Sequence, residues 1–246
     1  MAVNRIIPVL LLKNKQLVKT VRFKGPVHIG DPINTVRILN DKNIPELLVL
    51  DIAATLHNRE PDYNLISAIA GECSIPLIYG GGISTTDNAK KVFDCGVEKI
   101  SLNSSAFFNP CIISEVAKIY GSQSVMVSMD VKQTSPGLYR VFTKNGSHNT
   151  GIGPKEYANQ AAQNGCGEIL LNSIDRDGTR EGYDTDLIEQ VSSNVNIPVI
   201  ACGGAGCTED LTIALKHGAS AAAAGSLFFF NGKHRAVLIS FPSYLT

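Results

Sequence analysis

Apolar and β-branched residues gather in eight short runs along the chain, at roughly 5–12, 46–52, 75–79, 97–103, 124–130, 167–173, 197–202 and 219–225. Within a run the apolar character is nearly continuous, as in Ile197-Pro198-Val199-Ile200-Ala201. Strands buried on both faces of a parallel sheet read this way, whereas half-solvated strands alternate. Between the runs the period becomes helical. Amphipathic stretches stand at 33–43, 86–95, 111–119, 154–164 and 184–193, several opened by Thr, Asp or Pro near the first turn, where those residues cap or pre-set a helix. Strand and helix in alternation predict a parallel sheet with crossover helices. Eight such units without an evident edge strand favour an α/β protein of the (βα)8 TIM-barrel type over an open doubly wound sheet.

A longer regularity runs beneath these elements. Pro45-Glu46-Leu47-Leu48-Val49-Leu50-Asp51-Ile52 aligns with Gly167-Glu168-Ile169-Leu170-Leu171-Asn172-Ser173-Ile174 at an offset of 168 − 46 = 122. Ile75-Pro76-Leu77-Ile78-Tyr79-Gly80-Gly81-Gly82 aligns with Ile197-Pro198-Val199-Ile200-Ala201-Cys202-Gly203-Gly204 at 197 − 75 = 122, the same value. The offset is close to half of the 246 residues, so the chain reads as one barrel domain made of two fused (βα)4 halves, about 1–122 and 123–246. Two equivalent sites are then expected.

Composition narrows what those sites can bind. Lys and Arg number 22 and Asp and Glu also 22, which leaves no net field for nucleic acid or an anionic membrane. Any phosphate binding has to be local. The six cysteines (73, 95, 111, 166, 202, 207) form no CxxC pair and have no His at zinc-finger spacing, so they read as reduced, mostly buried thiols, and neither a metal nor a cofactor is implied. No apolar run approaches the ~18 residues that span a bilayer, and the opening MAVNRIIPVLLLKNK passes straight into a strand pattern without a signal peptide's cleavage site. A cytoplasmic protein is expected.

Three constellations carry candidate chemistry. Gly80-Gly81-Gly82-Ile83-Ser84 and Gly203-Gly204-Ala205-Gly206 follow strands three and seven, while Asn103-Ser104 and Gly225-Ser226 end strands four and eight at the matching offset, 103 + 122 = 225. Glycine lets backbone N–H groups approach an anion without a Cβ in the way, so each half can build one phosphate cup. Next come the acids: Asp51, the loop Asp175-Arg176-Asp177-Gly178-Thr179, and above all Asp130, which closes strand five and is placed for general acid or base work. Asp177 reads as a ligand-positioning group, and Lys19, in a loop after strand one, as a flexible point charge able to close over a phosphate or as a solvated surface lysine. Finally, Arg5, Glu46, Lys99 and Glu168 stand at the starts of strands one, two, four and six. Two cations and two anions pointing into a barrel base neutralise one another, as an ionic plug or as a gate.

Together, Arg5-Ile6-Ile7, Leu17-Val18-Lys19, Gly30-Asp31-Pro32, Leu50-Asp51-Ile52, Gly80-Gly81-Gly82-Ile83, Ser173-Ile174-Asp175-Arg176-Asp177-Gly178-Thr179 and Gly203-Gly204-Ala205-Gly206 resemble the motifs of HisF, the cyclase subunit of imidazole glycerol phosphate synthase, over positions 3 to about 230. The resemblance implies a barrel docked by its N-terminal face on a glutaminase, with ammonia entering past the four base charges and rising along the axis to a phosphorylated ribulosyl ligand. It places Gly82, Asn103 and Ser104 in one phosphate site, Asp177, Gly178, Gly204, Gly225 and Ser226 in the other, and Asp130 as one of two catalytic aspartates. The second belongs on strand one, where Leu11 stands in Pro8-Val9-Leu10-Leu11-Leu12-Lys13. The repeat points to the same position, since Asp130-Val131-Lys132 and Leu11-Leu12-Lys13 share register. Asn172 and Cys202 stand where the family usually has hydroxyl residues, and the tail Lys233-His234-Arg235-Ala236-Val237-Leu238-Ile239, ending in Phe241-Pro242, contains no long closing helix. In Pro8–Lys13 and this tail the chain is similar to the HisF-like paralogues of acetamidino sugar modification, which implies a separate sugar amidotransferase as a further partner; a cyclase of histidine biosynthesis, and a non-catalytic phosphate-ligand-binding activator of a glutaminase, are the alternatives the sequence leaves open.

Overall fold

A computed structural model describes residues 5–232 and 236–242. Eight strands form the barrel: β1 (Ile6–Lys13), β2 (Leu47–Asp51), β3 (Leu77–Gly80), β4 (Lys99–Leu102), β5 (Val125–Ser135), β6 (Glu168–Ser173), β7 (Val199–Cys202) and β8 (Ala221–Ala224). Each pairs in parallel with the next. The ring closes where β8 meets β1 through Ile6↔Ala222, Ile7↔Ala223 and Pro8↔Ala224. Closure decides between the two topologies weighed from sequence, because an open doubly wound sheet would end in two edge strands each paired on one side only, whereas every barrel strand here has two parallel neighbours.

Crossover helices over Pro32–Asn40, Tyr63–Glu72, Thr86–Asp94, Cys111–Tyr120, Pro154–Gln163, Thr185–Ser192 and Thr208–Lys216 cover the sheet. Their starts follow from local chemistry. The carboxylates of Asp31, Asp62 and Asp184 accept from backbone N–H groups three residues on, and Thr85 and Asn88 cap each other reciprocally. Residues two apart on a strand face the same way, and this spacing fills the interior with Ile7, Val9, Leu48, Ile78, Met126, Leu170, Ile200, Ala221 and Ala223, capped by Leu11, Leu50 and Cys202. The alternate residues pack against the helices in a second, larger core.

Three departures from the sequence reading bear on the site. First, Lys19 does not lie in a mobile loop. It sits on a strand, Gln16–Val21, paired antiparallel with both β1 and Lys24–Gly30. The turns of this double hairpin place Asn14 and Lys15, then Arg22 and Phe23, at positive φ. Such turns are normally announced by Asn-Gly or Asp-Gly, and neither dipeptide is present there. Second, a strand over Leu138–Thr143 pairs back on the extended end of β5. Third, the thiols are not mostly buried: Cys166 is, but Cys111 and Cys207 are exposed and Cys73, Cys95 and Cys202 lie between.

After β8 the described residues form a four-residue helix, Ser226–Phe229, and a short hairpin of Phe230–Asn231 with Ala236–Val237. Phe241 then closes against Phe228, with ring centroids 4.9 Å apart. Lys233, His234 and Arg235 of the tail lie outside the described residues. The helix Ser226–Phe229 has a counterpart, Ser104–Phe108, at the offset of 122.

Candidate functional site

At the base, Arg5 donates to Glu46 Oε2 (Nε, 2.9 Å) and to Glu168 Oε1 (Nη1, 2.6 Å), while Lys99 Nζ reaches Glu46 Oε1 at 3.2 Å and Glu168 Oε2 at 3.1 Å. Cation and anion alternate around a closed ring in which every charge has two opposite neighbours. Burial alone would raise the Glu168 carboxyl, but hydrogen bonds and charge from Arg5, with Lys99 beside it, hold it below the usual range. The four residues picked out by strand position are thus brought together.

Above them lies a cavity of about 490 Å3 at the C-terminal mouth of the barrel. Lys19, Asp51, Gly82, Asn103, Ser104, Asp130, Asp177, Gly178, Gly204, Gly225 and Ser226 all line it, as does Leu11. Mouth placement is where barrels of this kind carry their chemistry. The lining is uneven. Leu11 and Leu50, side by side on β1 and β2, and Cys202 on β7 rest on the apolar interior. Asn103, Ser128, Asp130 and Asn172 supply the polar part. Asp130 accepts from Asn103 Nδ2 at 3.0 Å and Asn172 Nδ2 at 3.3 Å. Burial pushes its carboxyl up to about 7, against those two bonds. Both protonation states are therefore accessible near neutral pH. Asn172 Oδ1 and Ser101 Oγ are buried with no hydrogen-bond partner.

Lys19 fills a niche that the sequence prepares. Nζ donates to Val9 O at 2.6 Å and lies 4.6 Å from the centre of the Phe229 ring. A Cβ at position 225 would stand 2.5 Å from that nitrogen, so Gly225 leaves the ammonium its room. Burial lowers its pKa to about 8, opposed by the charge of Asp177. The ammonium is thus a fixed, partly desolvated charge beside Gly225-Ser226.

The other two acids are engaged. Asp51 Oδ1 accepts from Ala53 N (2.9 Å) and Ala54 N (3.0 Å), and its other oxygen faces Arg59 at 3.5 Å. Asp177 Oδ2 accepts from Thr20 Oγ1 at 3.0 Å and Phe23 N at 3.3 Å, so it latches the Gln16–Gly30 hairpin over the cavity. The glycine turns obey the repeat in backbone as well as sequence. Gly82 and Gly204 take φ of +75° and +119°, and a Cβ would come to 2.7 Å from Arg59 O at the first and 2.1 Å from Gly182 O at the second. No other residue fits either turn.

Sequence reasoning passed over Arg59, Phe108, Lys144 and Ser101, which also line the cavity. Arg59, Phe108 and Lys144 belong to no periodic pattern and to no glycine motif, and Ser101 is a small polar residue inside the apolar run 97–103. For Arg59 the only hint was its distance of eight residues from Asp51.

Comparison with known proteins is consistent with this geometry. The family model "Histidine biosynthesis protein" matches residues 5–234. A Pseudomonas aeruginosa protein named "Putative imidazole glycerol phosphate synthase subunit hisF2" is 51% identical over 97% of this chain and 96% of its own. "Imidazole glycerol phosphate synthase subunit HisF" of Alkaliphilus metalliredigens is 42% identical over 94% of this chain and 92% of its own. A closed barrel, paired glycine turns at its mouth and a match from the base residue Arg5 to beyond β8 make this chain a member of the histidine biosynthesis protein family.

Proposed function

We propose that this chain is the ammonia-using synthase subunit of a glutamine amidotransferase complex, and that it acts on a phosphorylated small molecule. One observation carries the reading: a ring of four charges and a titrating carboxyl, Asp130, stand at opposite ends of one barrel, with an apolar interior between them. A neutral molecule of ammonia can traverse such an interior, whereas an ion leaves water for it only at a cost of several kcal/mol. Ammonia would come from a glutaminase docked at the N-terminal face, and its passage requires one ion pair of the ring to open.

At the mouth, amides and hydroxyls around Gly82, Asn103 and Ser104 would hold one phosphate. Those around Gly178, Gly204, Gly225 and Ser226 would hold the other, with Lys19 as its counter-charge. Asn103 divides its work, because its side chain already donates to Asp130 and to Ser128 O at 2.9 Å, leaving the backbone for the phosphate. Asp51 and Asp177 act by holding the walls in place. Asp130 exchanges a proton with the nitrogen that is added or with the group it displaces.

Leu11 specialises this reading. With an alkyl group where the family pattern has the second aspartate, a ring closure that needs one acid and one base has only Asp130. We therefore read the chain as a divergent paralogue whose ammonia serves amidination of a surface-polysaccharide sugar by a separate amidotransferase. Work as the cyclase of histidine biosynthesis is the second reading, favoured by the intact glycine turns and by the name of the Alkaliphilus relative. Supplying the purified chain with ammonia and the phosphorylated ribulosyl substrate distinguishes them. Formation of imidazole glycerol phosphate is expected to run about 10²–10⁴-fold below an ordinary cyclase. Turnover equal to that of an ordinary cyclase would overturn the paralogue reading. Leu11→Asp is expected to raise the rate and to destabilise the fold at pH 8, since it adds a carboxylate to the apolar part of the lining.

A further inference from the structure

Beyond the cavity the chain gathers cations that it does not neutralise. Residues two apart on a strand face the same way, so Lys132 stands on the face of β5 that carries Asp130, one step further out, and directly opposite it across the hairpin is Arg140. Like charges facing each other in this way weaken the pairing of the strands. Arg22 and Lys24 stand at the tip of the Gln16–Gly30 hairpin. Asp175 ties the two hairpins together: its backbone oxygen accepts from Arg22 Nε at 3.0 Å and its Oδ2 from Gln133 N at 2.8 Å.

None of these four cations lines the cavity, so a ligand held there leaves them uncovered. Elsewhere on the rim Lys15, Arg59 and Arg176 pair with Asp62, Asp51 and Glu181, whereas Arg22, Lys24, Lys132 and Arg140 have no ion-pair partner among the described residues. The chain as a whole balances 22 basic against 22 acidic residues, so the excess is a local arrangement. Two aliphatic side chains share it. Val21, paired with Lys24, is 39% exposed, and Leu138, at the turn beyond Arg140, is 41% exposed.

We infer that these two hairpin ends dock an acidic segment of a partner protein, one that also carries aliphatic side chains and lies across the mouth of the barrel. That the partner is the enzyme receiving the nitrogen rests on the reading proposed above. Charge complementarity selects the chemistry: carboxylates supply the anions that Lys132 and Arg140 lack, and aliphatic groups cover Val21 and Leu138. A single-stranded nucleic acid would also neutralise the cations, but such strands are gripped by stacking on aromatic rings. The rings nearby in sequence are turned elsewhere. Phe23 lines the cavity, and Tyr139, on the other face of its strand from Arg140, donates its hydroxyl to Asp184 at 3.0 Å.

Fluorescence anisotropy on the full chain tests this with a labelled Glu-rich peptide containing Leu and a labelled oligothymidylate, for the parent, Lys132→Glu and Arg140→Glu. The peptide is expected to bind the parent more tightly than the oligothymidylate does, and more weakly as salt is raised. Each substitution should weaken the peptide about 3–10-fold, since one attraction becomes a repulsion. Lys132→Glu should at the same time raise the urea midpoint, because a like-charge cross-strand pair becomes an opposite one. Loss of binding in a more stable chain separates docking from a purely structural role. No binding of the peptide, or binding that neither substitution weakens, overturns the docking surface. Oligothymidylate bound as tightly as the peptide assigns the cations to nucleic acid and overturns it equally. The assay contains neither ammonia nor a phosphorylated ligand, so ordinary cyclase turnover in the ammonia assay overturns the paralogue reading and, with it, only the partner's role as nitrogen acceptor.

Discussion

Asp130→Asn is expected to be more stable than the parent chain at pH 8, and the margin should widen by about 2–3 kcal/mol between pH 5 and pH 8. The sign follows from proton binding. In the folded chain the Asp130 carboxyl ionises at about 7 because it is buried; in the unfolded chain it does so near ~3.9. Across that window the folded state holds the extra proton, so parental stability falls as pH rises and levels off above about 7. An amide has no charge to desolvate. It can also be satisfied in place: Asn103 keeps its acceptor, and rotation of the Asn172 amide turns the partnerless Oδ1 toward the new N–H. Ammonia-dependent turnover should fall about 10²–10⁴-fold in the same variant. Urea unfolding at the two pH values checks the stability claim. A difference that does not change with pH would show that the buried charge is not its origin.

Arg5→Ala is expected to destabilise the chain by about 3 kcal/mol, the low end of what breaking a buried pair costs, since Arg5 keeps some solvent contact. The substitution leaves Glu46 and Glu168 facing each other with Lys99 alone between them. Glu168 loses the hydrogen bonds and charge of Arg5 that hold its carboxyl low, so its contribution to stability, present above the ordinary carboxylate range and lost on acidification, shrinks to what Lys99 supplies. Adding Glu168→Gln should recover part of the loss, because the two anions and one cation left by Arg5→Ala then become one of each. The comparison is made by denaturant midpoints of single and double variants. A double variant less stable than Arg5→Ala would reject mutual neutralisation as the role of the ring.

The barrel was legible because its strands are apolar on both faces and recur at a fixed offset, so each run needed only a count. Asp130 and the base charges were legible for a related reason: a charged residue at either end of an apolar run is conspicuous. The Gln16–Gly30 hairpin was not, because its turns use Asn14-Lys15 and Arg22-Phe23, residues without a turn signature. Missing that hairpin misplaced Lys19, whose burial depends on Phe229 and Gly225, more than two hundred residues further on. Long-range partners also explain why Asn103 and Asn172 could not be recognised as the pair that grips Asp130. No local pattern records a hydrogen bond between neighbouring strands.

The hairpin over the cavity has a second consequence, which concerns the order in which the chain is made. One edge of β1 pairs with β8 at Ile6, Ile7 and Pro8, and on that same edge Leu11, Leu12 and Lys13 pair with Val18, Leu17 and Gln16. At synthesis rates of about 5–20 residues per second, β8 emerges roughly ten to forty seconds after β1. During that interval an open edge rich in Ile and Leu invites pairing with another chain. The hairpin emerges at once and occupies the upper part of that edge, leaving Ile6 to Leu10 below it, of which Ile6, Ile7 and Pro8 later meet alanines. The lid of the finished cavity is thus also an early guard of the nascent barrel.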